Sequence, residues 1–152
     1  LGAQAWVKAH KDKLPKIANL FNRDGGPEPP VGISVPQAMY DDFVKISEPI
    51  QKIRPDYPFE VKVREPRKRP TRMGGTDASV FAIEGVPTLG FTTEDFKGYD
   101  FDYGEIWHTE RDLYTKNIPE YQEHTATVTA IIALGVANLD KQLSREGLYT
   151  EE

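Results

Sequence analysis

The chain has 152 residues, of which 28% are charged and 38% hydrophobic, with a net charge of -5 and no cysteine. This length and composition predict one globular domain with a buried core. No apolar run approaches the roughly 20 residues of a membrane-spanning helix, and the acidic balance argues against nucleic acid as the main partner. Without cysteine, a metal site here has to be built from His, Asp and Glu.

Helical periodicity, strand-like runs and Pro/Gly breaks divide the first half of the chain. The first helix is expected to end at Pro15, and Pro36 suits the first turn of the second. A loop rich in Gly and Pro, carrying Asp24, follows the first predicted strand. The predicted elements are a helix over 1–14, strands at 16–21 and 31–35, a helix over 36–53 and a strand at 59–65.

The second half begins with a basic, proline-broken loop from Pro66 to Gly75, which we interpret as solvated and not as a nucleic-acid surface. A buried strand then leads into a long aromatic loop with His108. The predicted elements are a short helix over 76–85, a strand at 86–91, the aromatic loop over 92–114 and a long helix over 119–143.

Strands alternating with helices predict an α/β fold, in which a layered mixed sheet is flanked by helices. We expect residues 1–152 to form one domain. In such sheets, ligands bind in loops beyond the carboxyl ends of the strands. The loops that carry Asp24 and His108 both have this position, which makes them the candidate site.

Asp24 precedes Gly25 and Gly26, so its carboxylate is expected at an exposed turn. An Asp-Gly turn without any functional role explains the same local pattern. His108 lies in a loop with many aromatic residues, as in the wall of a binding pocket. A histidine that merely packs within such a loop is the alternative, although a carboxylate and an imidazole from separate loops suit zinc.

Two further groups of residues come from the same patterns. Asp77 precedes a short helix and is either its N-cap or a residue that orients a ligand. His10 and His124 fall within helical patterns and are predicted to be surface or core-edge residues. The aromatic residues that are candidates for the pocket wall are Phe91, Phe96, Tyr99, Phe101, Tyr103 and Trp107.

Three motifs, in this order, resemble segments of the co-catalytic di-zinc exopeptidases, a family that includes bacterial leucyl aminopeptidases and the plasma glutamate carboxypeptidase (carboxypeptidase Q) group. "RDGGPEPPVG" is similar to the segment whose aspartate binds one zinc. "GGTDASVFAIEGVPTLGF" looks like the family's Gly-Ser/Thr-Asp segment with its helix and strand. "IWHTERDLYTKNIPEY" resembles the His-Thr segment whose histidine binds the other zinc.

The resemblance implies a zinc-dependent exopeptidase with two metal ions and a peptide substrate. It makes Asp24 a terminal ligand of one zinc and His108 a terminal ligand of the other. Asp77 becomes a polar orienting residue near the site, and the loop from Phe91 to Trp107 helps to form the substrate pocket. It also implies export to the periplasm or beyond a bacterial cell.

The family's mechanism also needs a His-x-Asp motif, whose aspartate bridges the metals, and a Glu-Glu pair that supplies the general base. We expect neither motif in this chain. Its acidic doublets, Asp41-Asp42 inside a helix and Glu151-Glu152 at the tail, do not have the position of the family's pair. The chain starts with a segment that resembles the one following the Glu-Glu pair in the family. The chain is therefore predicted to be the carboxy-terminal part of a peptidase catalytic domain, inactive by itself, with weak or absent zinc and exposed apolar surface that favours self-association.

Two other functions are compatible with the same residues. A non-catalytic, peptidase-like domain that binds a partner through the aromatic loop explains the missing motifs without an upstream half. A glutaminyl-cyclase-like transferase on the same scaffold uses a single zinc ion, so the number of metal ions would distinguish it. Fold resemblance does not decide among the three.

Overall fold

A mixed three-stranded sheet forms the centre of the computed structural model, which describes residues 1–150. The strands are β1 (Pro30–Val35), β2 (Glu60–Val63) and β3 (Phe91–Thr93), in the order β2-β1-β3. β1 pairs in parallel with β2 and antiparallel with β3. The prediction of an α/β fold with a mixed sheet flanked by helices is confirmed.

Within residues 1–150, five α-helices and three short 3-10 helices surround this sheet. The α-helices are α1 (Gly2–Ala9), α2 (Tyr40–Ile53), α3 (Ala78–Ile83), α4 (Tyr103–Ile106) and α5 (Pro119–Ala137). The 3-10 helices are Lys11–Lys16, Gln37–Met39 and Tyr114–Lys116. Within the described part of the chain, no helix is long and apolar enough to cross a membrane.

The main core lies between the sheet and the helices α2 and α5. Helix α2 has apolar residues at helical spacing, and three of them, Phe43, Ile46 and Ile50, are buried on one face. Burying a side chain as large as that of Phe43 contributes about 1.5–3 kcal/mol to folding. The main cluster consists of Ile33, Val35, Met39, Phe43, Ile46, Ile50, Leu89, Val128, Ile132, Leu143 and Leu148.

A smaller core joins α1 to α3. Val7 and Leu14 pack with Phe81 and Val86, and the Trp6 and Phe81 rings lie 5.6 Å apart. This packing places the start of α3 beside α1.

The predicted strand at 16–21 is wrong, and only the last residue of the predicted strand at 86–91 belongs to β3. The two segments nevertheless run side by side. The Leu20 amide donates to the Pro87 carbonyl (2.9 Å), and the side chain of Asn19 donates to the Leu89 carbonyl and accepts from its amide. The side-chain amide of Asn19 therefore makes the two hydrogen bonds to Leu89 that a main-chain partner would make in a regular β-sheet.

Helix α5 ends at Ala137, before the predicted end at 143. The following residues fold back, and Leu143 and Leu148 enter the main core. Leu134, although apolar, is 63% exposed. Beside it, Gly135 lies so close to Ile46 that a larger residue would collide with it.

The basic residues of the 66–75 loop are used in packing. Arg69 donates from Nε and a terminal nitrogen to the Ile83 carbonyl at the end of α3. Arg67 donates to the Thr88 hydroxyl (2.8 Å). These contacts of Arg67 and Arg69 tie the loop to the 83–88 segment.

His124 is fully buried in α5, deeper than the predicted core edge. Its Nε2 lies 3.0 Å from the Pro30 carbonyl oxygen, its ring stacks on Tyr57 at 4.0 Å, and its Nδ1 has no partner among the described residues. Burial lowers the pKa of His124 below its ordinary value, and the charges of Arg54 and Lys97 act in the same direction.

This lowered pKa predicts that acid destabilises the protein through His124. Below the ordinary histidine pKa of about 6.5 the unfolded chain binds a proton that the folded chain does not. The contribution of His124 to the free energy of unfolding is therefore fully present above about pH 6.5. It is lost as the pH falls from there towards the lower pKa of His124 in the folded state. Urea unfolding between pH 7.5 and 5.5 should show a shallower fall for His124→Gln than for wild type; equal slopes would contradict the assignment.

Candidate metal and substrate site

One large cleft, with a volume of about 1120 Å³, contains both residues that were predicted to bind metal. It is formed by residues of 22–27, of 88–91 and of the segment 103–117. Asp24 and His108 come from loops far apart in the sequence and both line this cleft. The fold therefore brings together the carboxylate and the imidazole on which the sequence analysis depends.

The Asp24 loop is held by the side chains on either side of the aspartate. The Asn22 amide donates to the Asp24 carboxylate. The Arg23 guanidinium donates to the Gly26 carbonyl (2.8 Å) and to the Glu28 carbonyl. Burial lowers the pKa of Arg23, opposed by the nearby charges of Glu28 and Asp24. Asp24 is thus an exposed residue on a turn that side-chain hydrogen bonds stabilise.

His108 lies just beyond the end of α4 in an unusual backbone conformation. Its φ of 56° is in the left-handed region, where residues other than glycine are uncommon and which recurs at functional sites. The Thr109 hydroxyl donates to the Glu105 and Ile106 carbonyls (2.9 and 3.0 Å) and stabilises this turn. The exposed His108 ring stacks on Trp107, with 4.5 Å between the centroids.

A direct contact joins the two loops. The Tyr103 hydroxyl, at the start of α4, donates to the main-chain carbonyl of Asp24 (3.1 Å). The Tyr103 ring also packs against Gly26, whose φ is 80°: a Cβ there would lie 3.1 Å from Tyr103 Cδ2 and 3.2 Å from Phe101 Cζ. Gly26 therefore provides both the left-handed turn and the space for the two rings.

Asp77 lies in a second, smaller cleft of about 310 Å³ beside the first. Asp24, Gly75 and Thr76 line both clefts, whereas Asp77 lines only the smaller one. Asp77 is the N-cap residue of α3, but its side chain makes no capping hydrogen bond. The carboxylate is therefore not occupied as a helix cap, and its role as an orienting residue stays a prediction.

The predicted pocket wall divides into two groups. Phe91, Tyr103 and Trp107 line the main cleft. Phe96, Tyr99 and Phe101 are not among the residues that line it: Phe96 and Tyr99 pack against Tyr121 of α5, with centroids 5.9 and 5.2 Å apart. Aromatic density in the sequence does not distinguish the residues that anchor a loop from those that face a ligand.

Asp95 anchors the aromatic loop to α5. Its carboxylate accepts hydrogen bonds from the amides of Tyr99 and Asp100 and from the Tyr121 hydroxyl (2.6 Å). The hydroxyl bond and the loop amides lower the pKa of Asp95. Burial and the contact with Asp95 raise the pKa of Tyr121 to about 12. The start of the loop that leads to α4 is therefore held against α5.

Several residues of the cleft were not predicted as site residues. Asn22 and Arg23, which precede Asp24, line the cleft. Asp112 lines the cleft beside His108, and its place in the His-Thr segment was the available signal. Gln122 and Thr125 reach the cleft from α5, which no local pattern indicated.

The donor chemistry fits zinc, because carboxylate oxygen and imidazole nitrogen are its ordinary ligands besides thiolate. The number of donors is smaller than a stable site needs. Among residues 1–150, no three His, Asp or Glu side chains are grouped closely enough to hold a metal ion. Asp24 and His108 are thus two donors of suitable chemistry, fewer than the three protein ligands of an ordinary zinc site.

The expectation that the chain contains no His-x-Asp triplet is wrong as to the letters, because His10, Lys11 and Asp12 form one. Its geometry differs from that of a metal motif. His10 stacks on Trp6 at 4.5 Å, and its Nδ1 lies 2.9 Å from the Trp6 carbonyl oxygen. Neither His10 nor Asp12 lines the two clefts described above.

Comparison with known proteins gives two findings. The family model "Peptidase family M28" matches residues 1–132. The crystal structure of a peptidase M28 precursor from Shewanella amazonensis SB2B is similar to this chain, with a TM-score of 0.67 and 23% identity over 95% of this chain and 30% of that one. No curated protein matches. The structural likeness concerns the fold, and this chain spans less than a third of its neighbour's length.

Proposed function

Since the chain belongs to peptidase family M28, we propose that it is the carboxy-terminal portion of the catalytic domain of a zinc-dependent exopeptidase. The observation that carries this proposal is the presence of Asp24 and His108 in one cleft. The longer protein that we propose contains this chain is called the parent protein below. Its substrates would be peptides or dipeptides, cut by aminopeptidase or dipeptidase-type carboxypeptidase action.

In the parent protein, Asp24 would hold one zinc ion and His108 the other. Bound zinc would polarise the scissile carbonyl and supply an activated water at neutral pH. Asp77 would orient the Asp24 side of the site from the neighbouring cleft. Phe91, Tyr103 and Trp107 would form an apolar wall for a substrate side chain, as aromatic residues commonly do in such pockets.

The bridging aspartate, the general base and the remaining ligands would come from the upstream part of the parent protein. Two observations support this division: the chain covers 30% of the Shewanella structure, and residues 1–150 contain no group of three metal-binding side chains. The 152-residue chain alone should therefore bind zinc weakly and hydrolyse no peptide. We also propose export of the parent protein.

Hydrolysis assays on the parent protein test the function. Amino-acid anilides probe aminopeptidase action, and dipeptides with blocked or free termini probe carboxypeptidase and dipeptidase action. Activity that a chelator removes and zinc restores is the expected result, with no activity for the 152-residue chain. Chelator-resistant hydrolysis would contradict the zinc mechanism, and hydrolysis by the chain alone would contradict the division of the site.

A binding function without catalysis is the second candidate, because Trp107 is 56% and Tyr114 90% exposed at the cleft. Exposed aromatic residues of this kind favour contact with a peptide or protein. The same surface would support self-association of the isolated chain. Peptide binding by a parent protein that neither hydrolyses peptides nor binds zinc would favour this candidate over the peptidase.

A further inference from the structure

The feature that links the two metal-binding loops is Tyr103. Residues 22–27 contain contacts within their own turn, such as those of Arg23 with the Gly26 and Glu28 carbonyls. Apart from Glu28, the only group outside this segment that forms a hydrogen bond to it, among residues 1–150, is the Tyr103 hydroxyl. This hydrogen bond and the packing at Gly26 join the Asp24 main chain to α4, while Phe21, which stacks on Phe91, anchors the preceding residues.

Tyr103 is also rigidly connected to His108. It begins the four-residue helix α4, and His108 follows the C-cap Trp107. The Asp102 carboxylate caps the start of this helix by accepting from the Gly104 amide (2.8 Å). At the other end, the Thr109 hydroxyl donates to the carbonyls of α4. Tyr103 and His108 therefore lie at opposite ends of one short helical segment that is capped on both sides.

We propose that Tyr103 is a positioning residue that sets the spacing between Asp24 and His108, through its hydroxyl on the Asp24 carbonyl and its ring on Gly26. This inference rests on the proposed zinc site and adds the residue that fixes its geometry. Tyr103 touches the backbone of Asp24 and leaves the carboxylate free, so the hydrogen bond survives when the carboxylate binds a metal ion. Zinc ligands need defined directions and lengths, and residues that orient ligands typically contribute 10–100-fold to metal affinity.

The test is equilibrium zinc binding to the parent protein in competition with a chromophoric chelator. Tyr103→Phe removes only the hydroxyl and should raise the zinc dissociation constant about tenfold, with little change in melting temperature. The visible absorption bands of the cobalt-substituted protein should shift, because they report ligand geometry. Gly26→Ala, which pushes a methyl group towards the Tyr103 ring, should act in the same direction.

Tyr149→Phe is the matched control. Its hydroxyl also donates to main-chain carbonyls, those of Ala82 and Val86 (3.3 and 3.4 Å), and Tyr149 does not line the cleft. Zinc affinity and cobalt spectrum should be unchanged in this variant. Equal zinc affinity in Tyr103→Phe and wild type, or an equal loss in both variants, would overturn the positioning role. Absence of zinc binding by the wild type would instead overturn the proposed function.

Discussion

Replacing Asp24 or His108 by alanine is expected to lower kcat/KM for peptide hydrolysis by the parent protein about a thousandfold. Under the proposed function each variant would remove one zinc ligand, and loss of a polarised carbonyl or activated water costs several kcal/mol of transition-state stabilisation. A thousandfold fall corresponds to about 4 kcal/mol. The measurement is kcat/KM at saturating zinc, with the zinc content determined on the same samples.

Asp12→Ala and His10→Ala are the controls, because they remove the same residue types outside the cleft. They also test the His-x-Asp triplet of the first helical region. Near-wild-type rates are expected for both, because His10 contacts Trp6 and not the candidate site. Near-normal turnover of Asp24→Ala or His108→Ala would remove the zinc assignment, and a large loss in the controls would move the site to the segment that follows α1.

Gly32→Ala is expected to lower the free energy of unfolding by about 1–3 kcal/mol, the range for overpacking in a well-packed core. Gly32 pairs with Glu60 where β1 and β2 run in parallel. A Cβ at this position would collide with the Glu60 main-chain carbonyl oxygen. Because the neighbour is backbone within a ladder, it cannot move aside as a side chain would, so the two strands have to separate.

Denaturant unfolding of the Gly32→Ala and Gly90→Ala variants measures this effect. Gly90 precedes β3, and no atom lies within 4 Å of a Cβ built there. Gly90→Ala should therefore change the free energy of unfolding by less than about 0.5 kcal/mol. Equal stability of Gly32→Ala and wild type would contradict the close packing of β1 against β2.

The sequence predicts the parts of the fold that local patterns determine. Helix α2 follows from apolar residues at helical spacing after Pro36, and its Pro49 does not interrupt it. The 16–21 segment was misjudged, because its apolar residues pack beside 87–89 while the Asn19 side chain makes the pairing contacts. The early end of α5 escaped prediction because burial of Leu143 and Leu148 is a tertiary effect.

The candidate site shows the same division. Asp24 and His108 were placed at one side of a sheet from two predicted strands, of which 16–21 is not a strand and 86–91 contributes only Phe91 to β3. The two segments nevertheless run side by side, and both residues line one cleft. The role of Tyr103 was not predictable, since its hydrogen bond to Asp24 joins two segments far apart in the sequence. Phe96 could not be separated from Trp107 by residue type, because both are aromatic residues of one loop and only the packing on Tyr121 distinguishes them.

A crystal structure of the zinc-loaded parent protein, with anomalous data collected at the zinc edge, tests the central claim most directly. The account predicts two zinc peaks about 3.5–4 Å apart. One should lie about 2.0–2.2 Å from an Asp24 carboxylate oxygen and the other about 2.0–2.1 Å from a His108 ring nitrogen. Zinc bound elsewhere, with Asp24 and His108 both free of metal, would contradict the account.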